Sequence, residues 1–286
     1  MGRAVLAPPD RTAPIGVFDS GVGGLTVLHE LLVALPQEDF LYLGDSARFP
    51  YGERMPAELQ LFSRQIADVL LDRGAKLIVV ACNSATSSAL EDLAGYVAAG
   101  GHGVDVIGVV GPESNLAVAR TRNGRIGVLA TPATIASGAY ARAVLAADPL
   151  VRLTNVACPE LAQISQNGAP VTAEDVELTR RYCAPLRDAG VDTAILGCTH
   201  YPFVRALLQR LLGPQVTLIT SGTAIARRVE HALALRDLAT TRTAGEGRYS
   251  FLCTGDADAF AETGSRFLQL PMGAVDHVEL PTEALA

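Results

Sequence analysis

Short runs of apolar, largely β-branched residues alternate along this chain with longer amphipathic segments. Within residues 56–73, for example, Leu59, Phe62, Ile66 and Val69 recur at the spacing of one buried helical face. Such alternation of strand and helix is typical of an α/β protein with mainly parallel sheets. The predicted strands are IGVFD (15–19), FLYLGD (40–45), KLIVVA (76–81), VDVIGVV (104–110), RIGVLA (125–130), TAILG (193–197) and VTLIT (216–220).

The chain also repeats part of its own pattern. IGVFDS at 15–20 resembles IGVLAT at 126–131, and LIVVACNSAT resembles TAILGCTHYP, which aligns Cys82 with Cys198. Short apolar strands also resemble one another by chance, but the repeat favours two similar three-layer α/β lobes, each with a cysteine at a strand tip. The predicted limits are a flexible leader at 1–13, a first lobe at 14–110 plus 221–286, and a second lobe at 111–220.

The composition is that of a well-packed globular protein, with 286 residues of which 49% are hydrophobic and 19% charged. A net charge of −7 disfavours nucleic acid and anionic membranes as partners, since both reward clustered Lys and Arg. No apolar run approaches the ~18 residues needed to span a bilayer. The first residues lack the apolar core of a secretory signal, so a cytoplasmic protein is expected.

An odd number of widely spaced cysteines with no secretory signal predicts free thiols. No closely spaced pair has the pattern of a structural zinc site, so no metal is expected. The only lysine, Lys76, begins an apolar strand, which is a poor position for the Schiff base of pyridoxal phosphate. The chain is therefore expected to need no cofactor. The five cysteines are Cys82, Cys158, Cys183, Cys198 and Cys253.

Polar residues at the carboxyl ends of the predicted strands are candidates for a site, because ligands of open α/β sheets bind there. If the two lobes face each other, these residues line one cleft. The candidates are Asp19 and Ser20, Asp45 and Ser46, Cys82 with Asn83 and Ser84, Thr131, and Cys198 with Thr199 and His200.

The cysteines have two interpretations. A buried, inert thiol is common, and that interpretation suits Cys158, Cys183 and Cys253. Cys82 and Cys198, however, each precede a predicted helix start, where unpaired N–H groups and a partial positive charge favour the thiolate. A disulfide reductase would keep its thiols in one CxxC turn, which is absent from the sequence. Two separate thiols are better suited to proton transfer at a carbon stereocentre, one acting on each face.

Two loops and a histidine complete the candidate set. DSGVGG (19–24) departs from the dinucleotide-binding and Walker A patterns. As a nest of backbone N–H groups for a carboxylate, with Asp19 nearby for an ammonium, it suits a zwitterionic amino acid; a capped, tightly packed turn is the alternative. GDSARFPYG (44–52) is either a substrate loop or a turn with a packed tyrosine. His200 either tunes Cys198, contacts the substrate or only packs.

DSGVGGLTVL, DSARFPYG, ACNSATS and GCTHYP, read in this order, resemble the motifs of the glutamate racemases. Enzymes of that family make D-glutamate for bacterial peptidoglycan without a cofactor. The resemblance covers residues 16–202 and implies two α/β lobes related by a pseudo-twofold axis, with the active site in the cleft between them. It also implies that glutamate is the small-molecule substrate, and a homodimer is a further expectation.

The resemblance implies roles for individual residues as well. Cys82 would be the base toward D-glutamate and Cys198 the base toward L-glutamate, with Asp19 and His200 in support. The substrate-binding residues that it implies are Asp19, Ser20, Tyr51, Gly52, Asn83, Ser84, Thr131, Thr134, Thr199 and His200.

The chain departs from the family pattern at several positions. Ser84 stands where threonine is more usual, and Phe49 replaces a common cysteine. In CPELAQISQNG (158–168), Gln166 occupies a position where the family usually has a glutamate that works with the histidine after the second cysteine. Because glutamine carries no charge, it cannot tune His200 and Cys198 as a carboxylate would.

Three other functions are open on the sequence alone. A related racemase or isomerase acting on aspartate, hydantoins or small diacids would share these motifs, and a substrate panel distinguishes it. An amino-acid-binding protein that has lost catalysis would bind glutamate without turnover. A nucleotide-dependent oxidoreductase would bind NAD(P), which the mismatched glycine turn disfavours.

Overall fold

The computed structural model describes residues 10–168 and 170–281, in which ten strands form two separate sheets. The first sheet contains β1 (Ile15–Asp19), β2 (Phe40–Gly44), β3 (Leu77–Val80), β4 (Asp105–Gly108), β9 (Tyr249–Cys253) and β10 (Val275–His277). The second sheet contains β5 (Arg125–Ala130), β6 (Arg152–Ala157), β7 (Thr193–Gly197) and β8 (Thr217–Ile219).

Eleven α-helices lie in the same described ranges. They are α1 (Leu25–Ala34), α2 (Pro56–Asp72), α3 (Asn83–Gly100), α4 (Val110–Arg120), α5 (Pro132–Ala136), α6 (Ala139–Ala147), α7 (Leu161–Asn167), α8 (Ala173–Asp188), α9 (Arg205–Leu212), α10 (Ser221–Leu235) and α11 (Ala257–Leu268). Within these ranges every helix is too short or too polar to cross a bilayer.

Both sheets are parallel throughout and repeat one strand order. The first runs β10-β9-β2-β1-β3-β4 and the second β6-β5-β7-β8, so that β2-β1-β3-β4 corresponds to β6-β5-β7-β8. The predicted α/β fold with two similar lobes is therefore confirmed. In each sheet the chain reverses its winding direction at the first strand, between β1 and β3 and between β5 and β7. Such a reversal leaves a crevice at the carboxyl ends of the two strands.

Helices cover both faces of the first sheet, which accounts for its almost continuous apolar strands. Ile15 and Val17 of β1 pack with residues of α1, α10 and α11, whereas Phe18 packs on the other face against α2 and α3. The second sheet is likewise buried between two clusters, with Leu129 of β5 on one face and Val128 on the other. Each lobe thus has the predicted three layers.

The strands with uninterrupted apolar runs agree with prediction, and the strands without them do not. β1, β5 and β7 have the predicted bounds, and the other four observed strands, β2, β3, β4 and β8, are one to three residues shorter than predicted. β6, β9 and β10 have no counterpart among the predictions. β6 lies at a sheet edge and carries a mixed sequence, RLTNVA, that leaves most of its side chains at least partly exposed.

The carboxyl-terminal part of the chain completes the first sheet, since β9 pairs with β2 and β10 pairs with β9. The predicted lobe boundaries at 110/111 and 220/221 stay a prediction. The helices that begin next to them, α4 and α10, pack against each other. Residues 1–9 of the predicted leader and 282–286 of the first lobe lie outside the described residues. Residues 10–13 are tied down, as the Lys76 ammonium donates to the Arg11 carbonyl at 2.6 Å and to Glu38 at 2.6 Å.

Candidate active site

Polar residues at the carboxyl ends of β1, β3, β5 and β7 meet in one small cavity between the lobes, with a volume of about 40 Å3. Asp19 and Thr134 lie behind its wall and contact the lining residues Thr199 and Ser84. The predicted residues that line the cavity are Ser20, Tyr51, Gly52, Cys82, Asn83, Ser84, Thr131, Cys198, Thr199 and His200. The other lining residues are Phe49, Pro50, Glu53, Pro132, Pro159 and Ala162.

Cys82 ends the loop after β3 and is the N-cap residue of α3. The Ala85 N–H points at the Cys82 sulfur at 3.5 Å, and Ser20 also hydrogen-bonds this thiol. These donors favour the thiolate, as the sequence predicts, but they do not decide its charge. Burial, together with the negative charge of Asp19, raises the pKa of the Cys82 thiol to about 12.

Cys198 follows β7 but does not precede an α-helix directly. A turn and a 3₁₀ helix (Tyr201–Val204) come first, and α9 begins only at Arg205. The His200 N–H favours the thiolate, yet burial raises the pKa of Cys198 well above its usual range, and the charges of Asp19 and Cys82 raise it further. The N–H donors near each thiol favour the thiolate, as the sequence indicates, but desolvation outweighs them.

The other three cysteines match their predicted interpretation. All five cysteines are free and buried. Cys158 and Cys183 lie in one hydrophobic cluster of the second lobe, and Cys253 lies in the cluster under α1 of the first. None of these three lines the cavity.

In the DSGVGG loop, backbone N–H groups bind the carboxylate of the loop's own aspartate, Asp19. Asp19 is fully buried, and its carboxylate accepts hydrogen bonds from the N–H groups of Gly21, at 3.2 Å, and of Gly24. The prediction that these N–H groups hold a substrate carboxylate is therefore wrong. Burial raises the pKa of Asp19 to about 6. A Cβ at Gly23 would overlap the His200 ring and the Thr199 hydroxyl, so glycine is required where this loop meets the second lobe.

The loop from Gly44 to Gly52 combines both of its predicted interpretations. Asp45, rather than reaching the cavity, accepts hydrogen bonds from Arg48 at 2.6 Å, from Thr254 at 2.7 Å and from the Tyr51 hydroxyl. Tyr51 therefore presents its ring and backbone to the cavity. Gly52 approaches the second lobe closely, since a Cβ there would lie 2.8 Å from that of Thr131.

Three hydroxyl groups from the two lobes form a cluster on another wall. The Ser84 Oγ lies 2.9 Å from the Thr131 Oγ1 and 3.3 Å from the Thr134 Oγ1. The Thr131 Oγ1 donates to the Thr134 Oγ1 at 3.0 Å. Ser84 lies in the first turn of α3 of the first lobe, whereas Thr131 caps α5 of the second lobe and Thr134 lies within it. Hydroxyls grouped in this way can turn their protons toward one carboxylate.

His200 lies beside Cys198 as a neutral imidazole. Its Nδ1 is 3.9 Å from the Cys198 sulfur, and burial lowers the pKa of His200 to about 4. The Nε2 lies 2.9 Å from the Gln166 Oε1, which confirms the register that placed Gln166 next to this histidine. Glu160, a carboxylate in the same CPELAQISQNG segment, is exposed and accepts instead from the Tyr182 hydroxyl.

Glu113 is a buried carboxylate that the sequence analysis does not single out. It is fully buried in the first turn of α4 and accepts from the Asn83 amide, the Tyr140 hydroxyl and the Ser221 hydroxyl. Burial raises the pKa of Glu113 to about 7. A carboxylate soon after a predicted strand is a weak signal, and its partners lie too far away in sequence to be found by spacing.

The cavity walls offer acids, thiols and hydroxyls. In the described residues, 10–168 and 170–281, no three His, Cys, Asp or Glu side chains are grouped so that they could hold a metal ion. Two thiols from opposite lobes can each face one side of a small substrate. The remaining groups can bind an ammonium and a carboxylate, which together describe an amino acid.

Comparison with known proteins identifies the class. A family model described as Asp/Glu/Hydantoin racemase matches residues 17–229 of this chain. The chain therefore belongs to the Asp/Glu/Hydantoin racemase family, whose members are isomerases.

Its relatives define the branch of that family. Glutamate racemases of Acidothermus cellulolyticus and Mycobacterium tuberculosis are 43% and 42% identical to it, each over 93% of this chain and over 98% and 96% of their own lengths. The glutamate racemase structure from Bacillus anthracis superposes with a TM-score of 0.89 at 34% identity, over 96% of this chain and 100% of that one. This chain is accordingly an enzyme of the glutamate racemase group.

Two further structures show how far the likeness extends. Glutamate racemase from Francisella tularensis, solved in complex with D-glutamate, has a TM-score of 0.85 and 32% identity, over 94% of this chain and 98% of that one. An aspartate racemase from Picrophilus torridus has a TM-score of 0.51 at 16% identity, which shows a shared fold alone.

Proposed function

We propose that this chain interconverts L- and D-glutamate without a cofactor, by proton transfer between the substrate α-carbon and two thiols. The observation that carries the proposal is that Cys82 of one lobe and Cys198 of the other line the same small cavity. The names of the relatives and the D-glutamate bound to the Francisella tularensis protein support glutamate as the substrate.

The cavity walls suggest how glutamate is held. Ser84, Thr131 and Thr134 are suited to a carboxylate, because three hydroxyls converge there. Asp19, with a pKa of about 6, is ionised above that pH and attracts the ammonium group. The Asn83 Oδ1 is buried and has no hydrogen-bond partner among the described residues, so it is a second acceptor for that group. Ser20, Tyr51, Gly52, Thr199 and His200 complete the proposed substrate contacts.

Each thiol must lose its own proton before it acts as a base. On one side the proposed acceptor is Asp19, whose charge acts on Cys82. On the other side it is the His200 Nδ1, 3.9 Å from the Cys198 sulfur. The substrate ammonium assists in both cases, since a nearby positive charge lowers the pKa of a thiol.

The proton transfer then runs across the substrate. Toward L-glutamate, the Cys82 thiolate removes the α-proton of D-glutamate, and the electron pair stays on the α-carbon as a planar carbanion. The Cys198 S–H gives its proton to the opposite face, which leaves Cys82 protonated and Cys198 as the thiolate. Toward D-glutamate the two residues exchange roles.

Incubation with L-glutamate in D2O tests the function directly. We expect D-glutamate carrying deuterium at the α-carbon, formed without added metal or cofactor. Folded protein that produces neither D-glutamate nor deuterated substrate would overturn the proposal. The Cys183→Ala variant is a matched control, because Cys183 is a buried thiol outside the cavity and its loss should leave the reaction in place.

We further propose that the enzyme works in the cytoplasm and supplies D-glutamate for peptidoglycan. Expression in a bacterium that requires D-glutamate should restore growth, and the Cys82→Ala variant should not. The homodimer expected from the resemblance stays a prediction, which sedimentation of the purified protein tests.

A further inference from the structure

Glu113 lies where four helices from both lobes meet. Its own helix is α4, and its hydrogen-bond donors are Asn83 of α3, Tyr140 of α6 and Ser221 of α10. Asn83 Nδ2 lies 3.1 Å from the Glu113 Oε2 and 3.4 Å from its Oε1. The Tyr140 and Ser221 hydroxyls donate to the same carboxylate. Glu113 itself does not line the cavity.

The ionised form of Glu113 allows only one orientation of the Asn83 amide. A carboxylate can only accept hydrogen bonds, so the Asn83 atom that faces it must be the amide nitrogen. The Tyr140 hydroxyl lies 2.9 Å from the same Nδ2, and because it gives its proton to Glu113, it can only accept from Asn83. Both contacts therefore place the NH2 group away from the cavity.

This orientation leaves the Asn83 Oδ1 without a partner. Asn83 is 2% exposed, and its Oδ1 is a buried acceptor that makes no hydrogen bond with the described residues. A buried acceptor left unpaired costs free energy, about 1–3 kcal/mol, so its persistence at a cavity wall points to a ligand that satisfies it. An ammonium group is such a ligand.

We propose that Glu113 is a positioning residue, which holds the Asn83 amide so that Oδ1 accepts a hydrogen bond from the substrate ammonium. This inference rests on the proposed function and extends it to a residue that touches no substrate. Tyr140 has the same positioning role. Its hydroxyl donates to Glu113 and therefore accepts a hydrogen bond from the second Nδ2 proton of Asn83.

The Glu113→Gln variant tests the proposal, because it preserves shape but replaces one acceptor oxygen by an NH2 donor. The single remaining oxygen cannot serve the Asn83, Tyr140 and Ser221 donors as the carboxylate does, so the Asn83 amide loses the charged acceptor that fixes it and can turn its NH2 toward the substrate ammonium. Loss of one hydrogen bond to a charged group predicts an increase in KM for both enantiomers of about 10- to 100-fold. We expect a much smaller change in kcat. An unchanged KM would overturn the proposal.

A second substitution separates positioning from a merely structural role. In Glu113→Gln combined with Asn83→Asp, one oxygen of the new carboxylate can accept from the Gln NH2 while the other faces the ammonium. KM should return to within about threefold of wild type, so the two changes together should be less harmful than Glu113→Gln alone. If Glu113 only packs, the second change adds a further defect, and the double variant is no better than the single one.

Glu38→Gln is the matched control. Glu38 is also a buried carboxylate, but it pairs with Lys76 at 2.6 Å, next to the amino end of β3 and far from the cavity. The variant should lower the unfolding temperature and leave KM unchanged. An equal rise in KM in this variant would show that any buried carboxylate has the same effect, and it would overturn the specific role of Glu113.

One readout does not depend on turnover and separates this inference from the proposed function. In the wild-type protein both Nδ2 protons of Asn83 are donated, so their exchange with solvent, measured by NMR, should be slow. In Glu113→Gln they should exchange faster, since the NH2 group then faces the cavity. Equal exchange in the two proteins would overturn the inference even if wild type racemises glutamate, and slower wild-type exchange would support it even if it does not.

Discussion

The two halves of the cavity have the same topology and different chemistry. Cys82 follows β3 and Cys198 follows β7, which occupy equivalent positions in sheets of the same strand order. The neighbouring strand of the first lobe ends in Asp19, a buried carboxylate, whereas its counterpart in the second lobe is followed by Thr131. Cys198 instead has His200, a neutral imidazole. The repeated fold thus delivers two thiols to one cavity, and the surroundings of the two thiols differ, with a buried carboxylate acting on one and a neutral imidazole beside the other.

This asymmetry has a limited set of observable consequences. D- and L-glutamate have equal free energies in solution, so kcat/KM must be the same in both directions for wild type and for every variant. A difference between the two thiols can therefore appear only in kcat and KM separately, in isotope exchange, or in the reactivity of each thiol. The following experiments use those quantities.

Removal of one thiol should have the largest effect on racemisation, and the two variants should differ in which enantiomer still exchanges its α-proton. Cys82→Ala and Cys198→Ala should each lower racemisation by at least about 10²- to 10⁴-fold, because each removes an acid–base group. In D2O, Cys82→Ala should still exchange the α-proton of L-glutamate without inversion, and Cys198→Ala that of D-glutamate. Mass spectrometry of the separated enantiomers measures both.

The pattern of exchange assigns each thiol to one face of the substrate. Exchange of the same enantiomer by both variants would contradict the assignment of Cys82 to D-glutamate and Cys198 to L-glutamate. Circular dichroism of the two variants provides the control for folding. Neither residue is needed for a disulfide, so both proteins should keep the wild-type spectrum.

A methyl group at Gly23 should have a moderate effect on stability and turnover. It would act on the Cys198 half of the cavity. In Gly23→Ala the new Cβ would overlap His200 and Thr199, so we expect a loss of about 1–3 kcal/mol in the free energy of unfolding and a lower kcat. Gly95→Ala provides the matched control. Gly95 lies in α3 with open space around it, so alanine there should stabilise the protein by up to about 1 kcal/mol. Urea unfolding measures both, and equal effects would contradict the close contact.

The sequence predicts the fold well where one local pattern decides the structure. β1, β5 and β7 are apolar at nearly every position because helices cover both faces of the sheet, and this pattern is visible without a structure. β6 is missed because an edge strand tolerates the polar residues that make it look like a loop. The strand-end rule also finds eight of the lining residues, since parallel strands bring their carboxyl ends to the same edge.

The electrostatics of the site could not be predicted in the same way. The local sequence of Cys82 indicates a helix start, which lowers the pKa of a thiol, but the depth of burial that raises it depends on the packing of both lobes. Glu113 is a similar case. Its donors lie 27, 30 and 108 residues away in the chain, so no spacing within the sequence marks it.

A carboxylate at position 166 should have the smallest effect of the substitutions. It tests whether the Cys198 half of the cavity can be changed without changing the Cys82 half. In Gln166→Glu the new charge would lie beside the His200 Nε2, where Gln166 now makes a 2.9 Å contact. It should raise the pKa of His200 from about 4, because the positive imidazolium gains an opposite charge. Cys198 ionises far above the pH at which His200 loses its proton, so the imidazole is neutral when the thiol titrates, and the pKa of Cys198 should change little.

NMR of the His200 ring across a pH series measures this change, and alkylation of the thiols by iodoacetamide with peptide mapping follows each cysteine. The pKa of His200 should rise by about 1 unit, equivalent to ~1.4 kcal/mol, while the pH of half-maximal labelling stays the same at Cys82 and at Cys198. Gln163→Glu adds the same charge to the exposed side of α7 and should change none of these values. A shift in labelling at Cys82 would mean that the two thiols titrate as one coupled pair, and the distinction between the two halves of the cavity would then fail.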